Sequence, residues 1–360
     1  MKKYKVGLVG IGRGTAYGKL FARHPLTEVT ALCDISESAL ERHGRDFGLA
    51  DSSLYSKYED FLGAGCDIIV LGTPMPYHAE QVVGAMDAGA HVLSEVTAAS
   101  DLDGCVAIWR AVKRHPELKY MMAENCCYMA FARDWREIAL SGRLGNIYYA
   151  EADYVHEIRN LIIDAVTGEE KWRVNRAPLH YCSHSLGPLL GMMPDDYIVR
   201  CTASGNRATV LNHEGDGFID MQVGLFQTKK GATIKVLRSS VAARKTSLCA
   251  YSVYGTKGVL ETGRTEYNNT GLRYIEGEDD ACVPVTISTT DPNAPEEAKL
   301  GGHGTSEYFL VRDFLDSIEN DTTPPVDIVR ALDMSVPGLI AHEAAKKGGV
   351  WMDIPLFWRE

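Results

Sequence analysis

The stretch YKVGLVGIGRG, which spans Tyr4–Gly14, decides the fold of this protein. Its first six residues predict a β-strand, and the glycines that follow predict a tight turn that opens a helix. Glycines at this point let the backbone approach a pyrophosphate, and the start of the helix offers free N–H donors and the positive end of its dipole. Gly10, Gly12, Arg13 and Gly14 are therefore candidate nucleotide-binding residues.

The second predicted strand, Glu28–Cys33, adds an acid at the position that a dinucleotide requires. Asp34 ends this strand 24 residues after Gly10, where an acid binds ribose hydroxyls. Because an acid there repels a 2′-phosphate, the sequence favours NAD over NADP. The glycine spacing itself is weak evidence, since Thr15 occupies the third position of G-x-G-x-x-G. A glycine-rich turn without a ligand is the alternative.

Strand and helix patterns alternate up to about residue 125, which predicts βαβ units and a parallel, doubly wound sheet. The apolar run Cys66–Gly72 is typical of a strand buried on both faces. Ligands of such sheets bind beyond the carboxyl ends of the strands. Thr73, Pro74 and His78 follow one strand end and Glu95 ends the next, so all four are candidate cofactor-binding residues. The plainer alternatives are a helix N-terminal residue for His78 and an exposed acid for Glu95.

The second part of the chain has a different sequence pattern, with long β-rich segments in which polar and apolar residues alternate. We expect an NAD-binding domain over residues 1–125 and a substrate and oligomerisation domain of the α+β class over residues 126–360. Residues 276–304 are acidic and rich in Pro, Gly, Thr and Ser, which predicts a long surface loop. The last helical stretch, residues 327–347, contains Pro337 as a break or kink.

Composition excludes several classes of function. The 360 residues carry a net charge of −11, which argues against a nucleic-acid partner and against an anionic membrane surface. No apolar run approaches the roughly 18 residues of a transmembrane helix. The nine cysteines are scattered and never spaced as C-x-x-C, so we expect reduced thiols, a cytoplasmic location and no metal site.

These motifs, together with Ser141–Ile147 (SGRLGNI), resemble the Gfo/Idh/MocA oxidoreductases over essentially the whole chain. The resemblance implies an α/β Rossmann domain followed by an α+β domain with a large, mostly antiparallel open sheet. It also implies NAD(P)-dependent chemistry on a sugar or cyclitol hydroxyl, and a homo-oligomer, either a dimer or a tetramer. The family's Glu-Lys-Pro motif is Glu95-Val96-Thr97 here, and valine cannot relay a proton.

One branch of the family that also lacks this lysine is the NAD-dependent glycoside hydrolases of family 109. Four segments are similar to that branch and occur in the same order: Met121–Tyr128 (MMAENCCY), Tyr154–Glu157 (YVHE), Tyr181–Pro188 (YCSHSLGP) and Gly302–Gly304 (GHG). Thr97, Glu157 and the pair Cys182-Ser183 depart from the branch pattern. The resemblance adds Asn125 to the candidate cofactor-binding residues.

The resemblance also implies a reaction and its residues. A sugar oxidised at C3 loses a proton at C2, expels its aglycone from C1, takes up water and is reduced again at C3. Tyr154 is then the candidate C2 base, and Tyr181 and His184 handle the C3 hydroxyl. His156 and His303 are expected to contact substrate or assist the leaving group. Trp172 and Arg173 precede the histidine segment in the chain, and this position makes them candidates for the wall of the sugar site, with a loop anchor as the alternative.

Three hypotheses stay open at this point. The first is the glycoside hydrolase, and the second is an NAD-dependent sugar or cyclitol dehydrogenase that uses histidine or tyrosine in place of lysine. The third is a nucleotide- and sugar-binding protein without catalysis. Each named side chain also has a structural alternative, such as packing of Tyr154 within the sheet or capping of a helix by His184.

Overall fold

The computed structural model describes residues 3–207, 214–242, 249–264 and 269–359. The chain divides into two compact units. Unit 1 comprises residues 1–129 and 289–332, and unit 2 comprises residues 130–288 and 333–360. No helix in the described part of the chain has the length and apolar character needed to cross a membrane.

Unit 1 contains a six-stranded parallel sheet in the order β3-β2-β1-β4-β5-β6. The strands are β1 Tyr4–Val9, β2 Thr27–Cys33, β3 Leu54–Tyr55, β4 Ile68–Leu71, β5 His91–Ser94 and β6 Tyr120–Met122. The helices between them are α1 Ile11–Arg23, α2 Glu37–Phe47, α3 Tyr58–Leu62, α4 His78–Asp87 and α5 Leu102–Arg114. This order is that of a doubly wound dinucleotide-binding fold, so the predicted fold class is confirmed.

Local sequence explains these elements. Two helices begin at residues whose side chains cap them: Ser36 accepts a hydrogen bond from the backbone N–H of Ala39, and Asp101 accepts one from that of Gly104. Strand β4 is buried throughout, as its apolar run predicts. A Cβ at Gly18 would lie 2.4 Å from Leu8 Cδ1, so this glycine lets α1 pack closely on β1.

Unit 2 contains a nine-stranded sheet in the order β14-β13-β12-β11-β7-β10-β9-β8-β15, in which only β7 and β10 pair in parallel among the described strands. The strands are β7 Ile147–Val155, β8 Ile198–Asn206, β9 Met221–Thr228, β10 Thr233–Ser239, β11 Cys249–Gly255, β12 Gly258–Thr262, β13 Thr270–Ile275, β14 Val283–Thr286 and β15 Met352–Asp353. The helices are α6 Ala130–Leu140, α7 Arg159–Ile162 and α8 Ser183–Gly191. The mostly antiparallel sheet is therefore confirmed as well.

The two faces of this sheet differ. Helix α8 packs on β7 and β11, where Tyr251 donates a hydrogen bond of 2.5 Å to the backbone carbonyl of His184. On the opposite face, Glu151 forms ion pairs with Lys235 and Arg264. The alternation of polar and apolar residues along the strands reflects this difference.

The structure corrects the predicted domain boundary in one respect. The division near residue 125 lies close to the observed one at residue 129, but residues 289–332 return to unit 1. Helix α9, Ser306–Glu319, buries Phe314 and Leu315 and packs on α1. The backbone N–H of Met122 also donates to the carbonyl of Val326, which attaches this segment to β6.

Two further expectations need correction. The predicted loop 276–304 contains strand β14. This strand pairs with β13, and Thr270 of β13 lies opposite Thr286 of β14. Helix α10, Ile328–Lys346, continues through Pro337 without a break. The surface loop is therefore shorter than the sequence predicted, and Pro337 does not break the helix.

Candidate active site

The glycine-rich turn of unit 1 is shaped by two close backbone contacts. Gly10 has φ +73°, a left-handed conformation that favours glycine, and a Cβ there would lie 2.6 Å from the backbone nitrogen of Thr73. A Cβ at Gly72 would lie 2.6 Å from the backbone nitrogen of Gly14. Only glycine at these positions lets the first turn of α1 meet the end of β4.

Asp34 holds this turn from the end of β2. One of its carboxylate oxygens accepts from the backbone N–H of Ile11 at 2.9 Å, and the other accepts from that of Ser36, also at 2.9 Å. Each oxygen retains a second lone pair for a hydroxyl. The first turn of α1 has no acidic residue, and the space beside Gly12 is open for at least 4 Å. The arrangement therefore fits a dinucleotide, with its pyrophosphate at the start of α1 and a ribose at Asp34.

The other predicted cofactor residues of unit 1 lie in the loops after β4, β5 and β6. His78 is fully buried, and its two ring nitrogens lie 2.8 Å from the carbonyl oxygen of Thr97 and 2.9 Å from that of Thr73. Burial lowers its pKa. We therefore interpret His78 as a positioning residue. Asn125 is buried at the start of a short 3₁₀ helix, and Pro74 precedes another.

Glu95 is a buried member of a charged network rather than an exposed acid. It accepts hydrogen bonds from Arg13 Nε at 2.6 Å and from the Tyr17 hydroxyl at 2.7 Å. A second nitrogen of Arg13 donates to Glu307 at 2.8 Å. Arg13 therefore joins two carboxylates beside the start of α1. Sequence reasoning missed Tyr17, although its i,i+4 spacing from Arg13 places both on one face of α1.

His303 belongs to this network in unit 1. Its Nδ1 lies 2.5 Å from Glu307 Oε1, and its backbone N–H donates to Glu307 Oε2 at 3.0 Å. Burial raises the pKa of Glu307, but the hydrogen bonds and charges of His303 and Arg13 outweigh it and lower this pKa to about 2. Glu307 was not predicted from the sequence, and the only available signal was its i,i+4 spacing from His303.

Unit 2 brings four of the predicted side chains together. The ring of His184 lies 5.0 Å from that of Tyr154 and 4.9 Å from that of Tyr181, measured between centroids. The Tyr154 hydroxyl lies 3.4 Å from His156 Nδ1. Tyr154 and His156 come from β7 and the residue after it, and His184 comes from the first turn of α8. We call these four residues the Tyr–His cluster.

Three arginines lie near the Tyr–His cluster, and, in addition to burial, the charge of each lowers the pKa of His156. The guanidinium carbon of Arg238 lies 4.0 Å from the ring centroid of Tyr154, its partner in the parallel register of β10 and β7. That of Arg176 lies 4.8 Å from the Tyr181 centroid. Arg173 stacks on the neighbouring Trp172 at 4.3 Å. Only Arg173 was predicted from the sequence; Arg176 and Arg238 were missed.

These arginines set the electrostatics of the cluster. Burial and the charge of Arg238 lower the pKa of His156 to about 4. Burial, again with the charge of Arg238, lowers the pKa of Arg176 to about 9. His156 is therefore neutral near pH 7 and accepts or donates a hydrogen bond as an uncharged imidazole. The Tyr–His cluster lies in a strongly positive environment.

Comparison with known proteins identifies the family. Residues 4–123 match the model of the Gfo/Idh/MocA oxidoreductase family's NAD-binding Rossmann fold, and residues 136–354 match that of its C-terminal alpha/beta domain. The chain belongs to the Gfo/Idh/MocA oxidoreductase family. Its cofactor is NAD, as the glycine turn and Asp34 predicted.

Relatives within the Gfo/Idh/MocA family bear the name glycosyl hydrolase family 109 protein. One from Phocaeicola vulgatus is 30% identical over 99% of this chain and 94% of its own length. One from Solibacter usitatus is 25% identical over 99% of this chain and 88% of its own length. The resemblance to this branch is therefore confirmed.

Solved structures of Gfo/Idh/MocA proteins share the fold. Levoglucosan dehydrogenase in complex with NADH and levoglucosan has a TM-score of 0.82 at 16% identity, over 98% of this chain and 100% of that chain. An inositol dehydrogenase homologue from Azotobacter vinelandii, in complex with NADH and myo-inositol, has a TM-score of 0.77 at 20% identity, over 98% of each chain. At these identities the likeness shows the fold alone.

Proposed function

We propose that this protein hydrolyses a sugar glycoside through transient oxidation at C3. The sugar ketone then loses the C2 proton, the aglycone leaves C1 by elimination, water adds at C1, and C3 is reduced again. The observation that carries the proposal is the Tyr–His cluster, which supplies proton-transfer groups in a chain that has Val96 in place of the family's lysine. The relatives named glycosyl hydrolase family 109 protein support it.

Each side chain has a defined task in this proposal. Tyr154 removes the C2 proton, and the guanidinium of Arg238 at 4.0 Å from its ring stabilises the phenolate that does so. Tyr181 and His184 take and return the proton of the C3 hydroxyl. His156, which is neutral near pH 7, holds the Tyr154 hydroxyl or a sugar hydroxyl rather than acting as a charged acid.

The cofactor is held by unit 1. The N–H groups at the start of α1 bind the pyrophosphate, and Asp34 binds the adenosine ribose. When bound, NAD supplies the hydride acceptor for C3 and the hydride donor that restores it. Because the reaction is redox-neutral, NAD is not consumed.

The first experiment follows two signals with one sample. Purified protein with NAD is given a panel of α- and β-linked nitrophenyl glycosides of neutral and of anionic sugars, and aglycone release and NADH absorbance are recorded together. The proposal predicts NAD-dependent release without accumulation of NADH. Accumulation of NADH without release would establish a sugar or cyclitol dehydrogenase instead, and NADH binding with neither signal would favour the non-catalytic alternative.

A second experiment tests Tyr154 itself. In D₂O, hydrolysis by this route places deuterium at C2 of the released sugar, which mass spectrometry detects. The variant Tyr154→Phe is expected to lose turnover by about 10²–10⁴-fold while it still binds NADH. Tyr149→Phe is the matched control, because Tyr149 lies on the opposite face of β7 and bonds to Glu151. If Tyr154→Phe keeps the wild-type turnover, Tyr154 is not the C2 base.

The proposal includes a cytoplasmic homo-oligomer. All nine cysteines are free thiols in the structure, which suits a reducing compartment. Leu225 and Leu272 are 39% and 42% exposed on the sheet face that carries Glu151, and a second copy would cover them. Light scattering on the eluting protein gives the mass of the assembly and decides between one copy and several.

A further inference from the structure

The three arginines around the Tyr–His cluster pair with no carboxylate in the described part of the chain. Among the described residues, none of the ion pairs and none of the side-chain hydrogen bonds joins Arg173, Arg176 or Arg238 to an acid. Arg176 is only 4% exposed, and its Nε atom is buried without a hydrogen-bond partner. A buried guanidinium without a carboxylate partner destabilises the fold, because it has lost its hydration without gaining a counter-charge.

Several other arginines of unit 2 do have acidic partners. Among the exposed or half-exposed ones, Arg143 pairs with Glu278, Arg159 with Glu157, and Arg264 with Asp153. The chain as a whole is acidic, with a net charge of −11, so acids are abundant. Arg173, Arg176 and Arg238 thus pair with none of the described acids in a protein that has more acids than bases, and this pattern indicates a negative charge supplied by a ligand.

The proposed reaction on a neutral sugar does not account for all three charges. It passes through no more than one negative charge at a time, either the Tyr154 phenolate or the enolate of the sugar. Arg238 stabilises that charge, since it lies over the Tyr154 ring. Its hydrogen bonds to the backbone carbonyls of Tyr154 and Pro178 hold it there. In that reaction Arg173 and Arg176 meet no negative charge to neutralise.

We infer that the sugar carries an oxyanion, such as a carboxylate, sulfonate or phosphate, and that Arg173 and Arg176 bind it. The planar fork of a guanidinium matches such groups with two parallel hydrogen bonds. This inference names the substrate class of the proposed glycosidase and rests on that function for its reaction, but the binding of the anion stands on the arginines alone. The proposed substrate is therefore a glycoside of an anionic sugar rather than of a neutral hexose.

The test begins with binding to the whole protein in the presence of NADH. Isothermal titration compares glucuronate, galacturonate and glucose 6-phosphate with glucose and galactose. We expect at least one anionic sugar to bind about a hundredfold more tightly than its neutral counterpart, since hydrogen bonds between two charged groups are stronger than those between neutral ones. The carboxylate and phosphate probes distinguish the possible oxyanions, and equal or weaker binding of every anionic probe overturns the inference.

The variant Arg176→Gln then assigns the preference to this residue. It is expected to reduce the ratio of anionic to neutral affinity about tenfold or more, and Arg176→Lys is expected to restore part of it. Arg136→Gln, an exposed arginine of α6 in the same unit, is the matched control and should keep the wild-type ratio. A ratio that Arg176→Gln leaves unchanged refutes the assignment.

Activity separates this inference from the proposed function. Hydrolysis of neutral glycosides but not of glucuronides, galacturonides or 6-phosphoglycosides would keep the function and refute the anionic substrate. Tight binding of an anionic sugar whose glycosides are never cleaved would keep the anion site and refute the function. Preferential hydrolysis of an anionic glycoside supports both.

Discussion

Glu307 offers a quantitative test of the network around Arg13. Its side chain is fully buried and accepts from Arg13 at 2.8 Å and from His303 through both the ring and the backbone. Its pKa falls from 4.5 to about 2 on folding. A lowered carboxyl pKa stabilises the fold above the unfolded value, and the stabilisation is lost as the pH falls toward the folded value.

The size of the effect follows from this shift. At 1.36 kcal/mol per pKa unit, the ionised Glu307 contributes about 3 kcal/mol to the free energy of unfolding at pH 7 and at pH 5, and about 1 kcal/mol at pH 3. The variant Glu307→Gln keeps the shape and one acceptor but has no charge to lose. We therefore expect it to be less stable by about 3 kcal/mol at pH 7, with the difference shrinking to about 1 kcal/mol at pH 3.

Urea denaturation at pH 7, 5 and 3 measures this difference. Asp316→Asn is the matched control, because Asp316 is an exposed acid on the same helix, α9. The control should lie within about 0.5 kcal/mol of the wild type at each pH. If Glu307→Gln lowers the free energy of unfolding by the same amount at pH 3 as at pH 7, the reasoning is refuted, since the loss would then arise from packing rather than from charge.

Three further predictions concern the two sites. Asp34→Ser should weaken NADH binding about tenfold and should lower the ratio of NADH affinity to NADPH affinity, because the variant lacks the acid expected to bind the ribose and to repel a 2′-phosphate. Fluorescence titration with each nucleotide measures both effects. Gly10→Ala should destabilise the protein by about 1–3 kcal/mol, since alanine is strained at φ +73° and meets the Thr73 backbone, whereas Gly12→Ala should not, both measured by urea denaturation. His156, with its pKa lowered to about 4, makes stability rise with pH between about 4 and 6.5, because the unfolded chain binds the proton there; thermal melts of His156→Gln should show a flatter profile in that range.

The fold of unit 1 was predictable because its signals are local. Each strand of the parallel sheet is a short apolar run, and Ser36 and Asp101 mark helix starts within a few residues. The return of residues 289–332 to unit 1 was not predictable, because it depends on packing of α9 against α1 and on a backbone hydrogen bond between Met122 and Val326. Those contacts join segments that lie about two hundred to three hundred residues apart in the chain, and no local pattern encodes them.

The candidate site was predictable to a similar extent. Tyr154, Tyr181 and His184 were found because their short motifs occur in a familiar order, and the structure places them together. Arg238 was not found, since its contact with Tyr154 arises from the parallel register of β10 and β7 across 84 residues. An arginine in an alternating strand resembles any solvent-facing charge until the strand pairing is known.

The two charged clusters differ in whether carboxylates of the protein neutralise their arginines, and this difference bears on what each cluster does. In unit 1, Arg13 is matched by two carboxylates, Glu95 and Glu307, so its charge is neutralised within the protein and the network holds the start of α1 in place. In unit 2, Arg176 is buried deeper and is matched by none of the described acids. Folding leaves such a charge unpaired only at a free-energy cost, and binding of an oxyanion recovers that cost. Because the recovery occurs on binding, it favours anionic ligands over neutral ones of the same shape, so we propose that the arginines select the substrate and that the Tyr–His cluster carries out proton transfer.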